Sequence, residues 1–364
     1  MRIFRKIKKN NIVNGNYSAF IINNNNYKGV INMNIKKIGL TALGSSLIAT
    51  SAFAGSLDVT GSAGFTFANS DKYDTGNNFS MTDSVTFSGG GEMDNGWNVT
   101  VSFELEDNAQ SVAGNNMDSR SLKVDMGDAG TVTFSGHGGS TAASAVDDVT
   151  PTAYGESWDI IGSTTATQTN GGTNKHGAIG GFSDDNIFMY NAPSLVDGLG
   201  LNISYVPSHT DRVGSSISWA VEYTGVEGLT LGYATDNNGK DGSGATLEEI
   251  ETTLMYAKYA YGPVTIGYQE NEADGATASN DDEMTAYGIT YAVTEDLSIG
   301  YNYSEIDEDT TTSTNVQESS NISFSYTMGS ITIAGASVKM DNIGESSNAI
   351  NDRQGYEIDV SFAF

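Results

Sequence analysis

Between Leu57 and Phe364 the chain repeats one pattern: a segment of roughly ten residues in which apolar and polar side chains alternate, then a turn or loop. A period of two belongs to a β-strand with one apolar and one polar face. In WNVTVSFELED, Trp97, Val99, Val101, Phe103 and Leu105 share one face, and Asn98, Thr100, Ser102, Glu104 and Glu106 take the other. In LSIGYNYSEI, Leu297, Ile299, Tyr301 and Tyr303 oppose Ser298, Gly300, Asn302 and Ser304. The pattern predicts sixteen strands, over 57–68, 79–90, 97–106, 117–127, 131–137, 186–193, 199–206, 215–224, 229–235, 247–261, 263–271, 281–293, 297–305, 317–328, 331–340 and 354–364.

A water-soluble sandwich would give the same alternation with its apolar faces turned inward. The connections separate the two. Short ones (EMDNG, GDAG, SLVDG, GVEG, YGP, VTED, MGS) alternate with long, polar ones such as SDKYDTGNN, NEADGATASND and DEDTTTSTNVQE. Tight turns at one end, long loops at the other and an even strand number describe a transmembrane β-barrel of the outer-membrane kind. A sandwich has no reason to sort its loops. The final strand, YEIDVSFAF, agrees, because Tyr356, Ile358, Val360, Phe362 and Phe364 fall on one face. In a barrel closed in lipid the last strand pairs with the first, no edge is left, and that apolar row faces acyl chains.

Tyrosines at 190, 205, 223, 233, 256, 268, 291 and 326 fall near strand ends, where an amphipathic ring suits the headgroup boundary. The prolines respect the same scheme: Pro193 ends a strand, Pro263 begins one, and Pro151 and Pro207 lie in loops, so no mid-strand ladder is interrupted.

From Met33 the chain reads MNIKKIGLTALGSSLIATSAFA: two lysines, an apolar run, then Ala52-Phe53-Ala54. That order is a secretory signal peptide over 33–54, with cleavage expected between Ala54 and Gly55. Its apolar run is too short and too rich in Ser, Thr and Gly for an anchor spanning about 30 Å. Residues 1–32 carry no acidic residue and no periodicity, and read as a non-native or extended leader ahead of a single barrel domain, 55–364. Eight of the 17 Lys and Arg precede Gly55 but none of the 45 Asp and Glu do, leaving 9 bases against 45 acids, a charge near −36. Such a surface repels nucleic acid and collects cations. With no cysteine in the chain there is neither a disulfide framework nor a thiolate metal site. His137, His176 and His209 lie far apart in Gly- and Ser-rich stretches and read as solvated loop residues, not zinc ligands.

Three stretches, GDAGTVTFSG (127–136), DNIFMYNAPSLVDGLGLNISY (185–205) and the terminal YEIDVSFAF, resemble the sixteen-stranded trimeric Gram-negative porins, particularly the alphaproteobacterial general porins. The resemblance covers essentially all of 55–364. It implies a homotrimer in outer-membrane lipid and a terminal strand, with Tyr356, Phe362 and Phe364, that is read by the barrel insertion machinery. It also implies that the long connection after strand 5, 138–185, folds into the lumen as a constriction loop. A loop of that length in a compact domain needs a job or its own packing. By the resemblance its acids Asp147, Asp148, Glu156 and Asp159 line the narrowest point, facing a wall with Glu104, Lys123 and Arg120.

General porins of this type carry a basic cluster on that wall, whereas here strands 2 to 4 offer only Lys123 on the polar face and Arg120 near the loop end. Glu104, Glu106 and Asp125 share the polar face, so a negative lumen with cation preference is expected. Passive diffusion of ions and small hydrophilic solutes follows, with no cofactor. An enzymatic barrel lacks its parts, since no GxSxG elbow or comparable activated nucleophile occurs. A calcium-binding or adhesive surface barrel rests on DNNGKDGSGATLEE, where Asp236, Asn238 and Asp241 offer oxygens. Leu247 stands where an EF-hand needs its bidentate Glu, so only weak calcium association is expected. A substrate-selective channel for sugars would want stacked aromatics, for which Tyr154 and Trp158 of the loop are the candidates.

Overall fold

The computed structural model describes residues 57–71, 78–106, 117–158, 160, 179–181, 183–208, 214–237, 249–275, 281–308, 315–345 and 352–364. The leader, the signal peptide and the Ala54–Gly55 junction lie outside the described residues, as do Asp159, His176, His209, Asn238 and Asp241. Among the described residues no helix is long and apolar enough to cross a membrane.

The strands of the main sheet are β1 (Leu57–Ser70), β2 (Phe79–Glu92), β3 (Asn98–Glu106), β4 (Met117–Asp125), β5 (Thr131–His137), β6 (Ile187–Asn191), β7 (Leu199–Val206) and β8 (Ser216–Val226). They continue with β9 (Leu229–Asn237), β10 (Glu251–Tyr261), β11 (Val264–Asp274), β12 (Asp282–Ala292), β13 (Leu297–Glu308), β14 (Gln317–Met328), β15 (Ile331–Asp341) and β16 (Arg353–Ala363). Each pairs antiparallel with its sequence neighbours, and β1 pairs with β16, so the sixteen close into a barrel. The seam includes Phe364 itself: Gly61 N–H donates to the Phe364 carbonyl, and Phe364 N–H donates to the Gly61 carbonyl, both at 2.9 Å. A closed ladder leaves no strand edge to satisfy in a membrane.

Short and long connections alternate around the ring. The tight turns put glycine where the backbone demands it: Gly130, in the turn between β4 and β5, has φ +85°, and a Cβ there would press on Asn191 O and the Tyr190 ring. Both chain ends of the barrel lie on the short-turn side.

Pleating gives the wall two unlike faces. Outward are Phe65, Met81, Phe103, Leu122, Ile203, Trp219, Leu231, Ile266, Ile289, Ile322, Ile358 and Phe362, all large and exposed, as is Phe364 at the end of the row. This apolar band meets hydrocarbon. Aromatic pairs bridge neighbouring strands on it, including Phe134 with Phe188 and Tyr287 with Tyr303 at 4.7 and 5.0 Å between ring centroids. Tyr205, Tyr223, Tyr233, Tyr268, Tyr291 and Tyr326 share the outer face and its exposure. Tyr256 does not. It stands between Leu254 and Lys258 on the inner face and is 5 % exposed, with its ring laid against Gly232, its cross-strand partner. Alternation decides the face of a tyrosine, and Tyr256, expected near a strand end, lies at the middle of β10 on its inward parity.

The inner face is polar along most of its height but not throughout. Leu254, Met284, Ile306 and Met340 also point inward, each close to the long-connection end of its strand, and all are 1 % exposed or less. Something inside the barrel covers them.

Candidate functional site: a loop folded into the lumen

What covers them is the connection between β5 and β6. Its neck is a two-residue pairing in which Gly139 faces Asp184 and Ser140 faces Ser183. Below the neck, His137 Nδ1 and Asp185 Oδ1 hydrogen-bond at 2.6 Å, joining the strand that leaves to the segment that returns. From there the loop runs along the inner wall. Thr141 donates to Asp236 of β9, and the amides of Ala142 and Ala143 donate to Ser204 Oγ of β7 and Ser218 Oγ of β8 at 3.0 and 2.9 Å. Val149 N–H donates to Gln269 Oε1 of β11 at 3.1 Å, Ala153 N–H to Ser323 Oγ of β14 at 3.2 Å, and Ser157 N–H to Asn302 Oδ1 of β13 at 3.0 Å. The reach ends at β16, where Tyr154 Oη donates to Glu357 Oε1 at 2.5 Å.

Backbone amides with no strand partner would be costly in a narrow lumen, and wall side chains satisfy them here. This explains the Ser, Asn and Gln residues of β7, β8, β11, β13 and β14 that are almost fully buried though they face a water-filled interior. Apolar contacts add to them. Trp158 and Ile179 pack with Ala273, Met284, Ala286 and Ile306. Ile160 packs with Ala336, Val338, Met340 and Ile343, with Tyr154 alongside. Ala142 and Ala143 pack with Ala220, Ala234 and Leu254. Fully burying a large apolar side chain contributes about 1.5–3 kcal/mol, so the loop is a fixed part of the lumen.

The acids of the loop are placed unequally. The Asp147 carboxylate accepts the Gly181 amide at 3.0 Å, clamping the outgoing limb to the return, and its backbone carbonyl accepts from Gln269 and Asn271. Asp148 keeps a solvent-exposed side, yet the protein around it raises its pKa above the usual 3.8, chiefly by burial, with the Trp158 indole N–H acting in the opposite sense. Glu156 is half-buried beside Gly155, whose carbonyl accepts from Asn321 at 2.8 Å. Trp158 is fully buried and presents no face to a passing solute. Tyr154 has its hydroxyl committed to Glu357, which lifts its pKa, burial being the larger cause.

On the opposite wall the register separates the three expected residues. Glu104 pairs with Ser119, whose Oγ donates to it at 3.1 Å, and Lys123 pairs with Thr100, so both are inward. Arg120 is the cross-strand partner of Phe103 and shares the outer face with Leu122, and its guanidinium donates to Gly136 O at 3.3 Å. The structure therefore does not bring Arg120 to the lumen, because its parity is that of the apolar row. Among the inward residues that sequence reasoning missed are Glu222 of β8, which accepts from Tyr256, and Lys258 of β10, whose ammonium lies 5.6 Å from the centroid of the Tyr256 ring. Their place on the polar parity of β8 and β10 was the available signal. Asp236, read as a calcium oxygen, holds Thr141 instead. Among the described residues no group of three or more His, Asp or Glu is placed to hold a metal ion.

A closed barrel with an apolar girdle outside, a polar interior and a loop packed into that interior is an outer-membrane channel. The family model of the Gram-negative porins matches residues 39–346, and the chain belongs to that family. Solved structures share the fold at low identity. An anion-selective porin from Comamonas acidovorans superposes with a TM-score of 0.61 at 14% identity, covering 85% of this chain and 100% of that one. OmpF of Salmonella typhi, in complex with daunomycin, gives 0.61 at 15% identity, with 85% and 98% covered. The trimer form of OmpT from Vibrio cholerae gives 0.58 at 13%, with 85% and 99% covered. No curated protein sequence matches the chain.

Proposed function

We propose that the protein is a passive diffusion pore for ions and small hydrophilic solutes, that it prefers cations, and that it works as a homotrimer without catalysing a reaction. The observation that carries the preference is the balance of charge on the inner face. Glu104, Asp125, Glu222, Asp236, Glu357 and Asp359 take the inward parity, against Lys123, Lys258 and Arg353. The loop adds Asp148 and Glu156 and, over its described residues, no base. Low-dielectric walls focus such a potential and raise the local cation concentration. The Comamonas acidovorans porin is anion-selective with the same fold, which fits selectivity residing in side chains and not in the barrel.

Among the described residues of the loop, the buried Trp158 and tethered Tyr154 offer no stacked aromatics for a sugar path, which favours general diffusion over a substrate-selective channel. The trimer is supported by likeness to the trimer form of Vibrio cholerae OmpT, and the insertion machinery is proposed to read the outward row Tyr356, Phe362 and Phe364. Liposome swelling tests the pore reading: vesicles carrying the folded chain are expected to swell in small neutral polyols at rates falling smoothly with solute size. Rates indifferent to size, or equal to protein-free vesicles, would overturn it.

A further inference from the structure

Around Pro151 the inserted loop meets the wall with no wall side chain between them. Gly267 of β11 and Gly288 of β12 are cross-strand partners on the inner face, and Gly300 of β13 lies beside them, paired with Thr290. A Cβ on Gly267 would collide with the Pro151 ring, its Cγ at 3.0 Å, and one on Gly288 would collide with the Pro151 carbonyl group, its carbon at 3.1 Å. A Cβ on Gly300 would come 2.9 Å from Ala153 N. None of the three glycines has positive φ, so their backbone would suit other residues. Glycine weakens a strand interior and marks close approach of another backbone. What these positions use is the missing side chain.

The loop matches the seat. Hydrogen bonds pin it on either side, from Val149 N–H to Gln269 and from Ala153 N–H to Ser323. Between them stands Pro151, which has no N–H to leave unsatisfied against the two glycines.

We propose that Gly267 and Gly288 form a seat for Pro151 that sets how far the loop stands into the lumen, and so the bore of the pore. The inference rests on the diffusion-pore reading above. Any side chain at the seat lifts the loop off the wall, and the only free direction is into the channel. Pushing a sub-3 Å clash out to ordinary contact moves the loop by about 1 Å, which narrows the passage without altering a charge.

Two single variants and a rescue test this. G267A and G288A, folded and trimeric by gel mobility, are expected to lose roughly a tenth to a third of single-channel conductance, a loss set by pore radius. P151A removes the ring atoms that Gly267→Ala would meet, so P151A/G267A is expected to return to the conductance of P151A alone. P151A/G288A is not, because the carbonyl it meets remains. Wild-type conductance in both single variants, or equal rescue of both, would overturn the seat. Amide exchange at Thr152 and Ala153 reads the seat separately from conduction: faster exchange in G288A supports it and unchanged exchange overturns it. A wild-type barrel that does not conduct would sink the pore reading alone.

Discussion

Tyr154 on the inserted loop and Glu357 on β16 are joined by a hydrogen bond of 2.5 Å, although 203 residues separate them. The bond ties the reach of the loop to the strand that closes the barrel on β1. Removing the hydroxyl leaves a carboxylate without its donor, a loss of about 1–3 kcal/mol. Tyr154→Phe is expected to keep the barrel folded, to free the loop tip and to raise open-channel current noise. Noise identical to wild type would show that Tyr154 does not hold the tip.

Trp158 carries the packing on the β13 side. Trp158→Ala removes a fully buried ring from its contacts with Met284 and Ile306, at a cost of about 3–5 kcal/mol. The loss falls on loop docking and not on the strand ladder. Hydrogen exchange is expected to speed up at Ser157 and neighbouring loop amides while β10–β14 stay protected, and slowed or uniform exchange would contradict it.

Acid should weaken cation preference, and Asp148 of the loop contributes to that loss. The Asp148 pKa lies above the usual 3.8, principally through burial. A raised carboxyl pKa means the proton is taken up at higher pH than at an ordinary aspartate, so Asp148 gives up its charge earlier than an unperturbed aspartate as pH falls. The charged form bears the burial cost, and protonation relieves it, so the loop itself is no less secure in acid. The shift of reversal potential down a pH series is expected to be smaller in Asp148→Asn than in the wild type, and an equal shift would contradict it.

Deleting Phe364 removes both 2.9 Å hydrogen bonds with Gly61 and the end of the outward row. The seam between β1 and β16 then opens at its short-turn end. Heat-modifiable, membrane-inserted barrel is expected to fall several-fold in cells. An unchanged yield would remove the terminal residue from closure and insertion.

Much of this architecture is legible in the sequence because a strand writes its two faces as a period of two. The segments 131–137, 199–206 and 317–328 match β5, β7 and β14 to the residue. Alternation reports the face of a residue but not what lies over it. Leu254, Met284, Ile306 and Met340 therefore look like interruptions of a polar face until the loop is seen to cover them. The same limit hides the glycine seat, since a glycine in a strand reads as a weak position until a proline is found against it. Arg120 shows the converse: its spacing from Leu122 places it outward, whereas the resemblance set it on the lumen wall. Asp147 was visible as a loop acid, but only the fold shows that its carboxylate binds Gly181.

A negative, open lumen fixes the sign of the reversal potential under a KCl gradient. The folded chain in a planar bilayer should give large stepwise conductances and a reversal potential of the sign that marks potassium as the more permeant ion. Equally large conductances with the opposite sign would keep the channel and contradict the account of its charge.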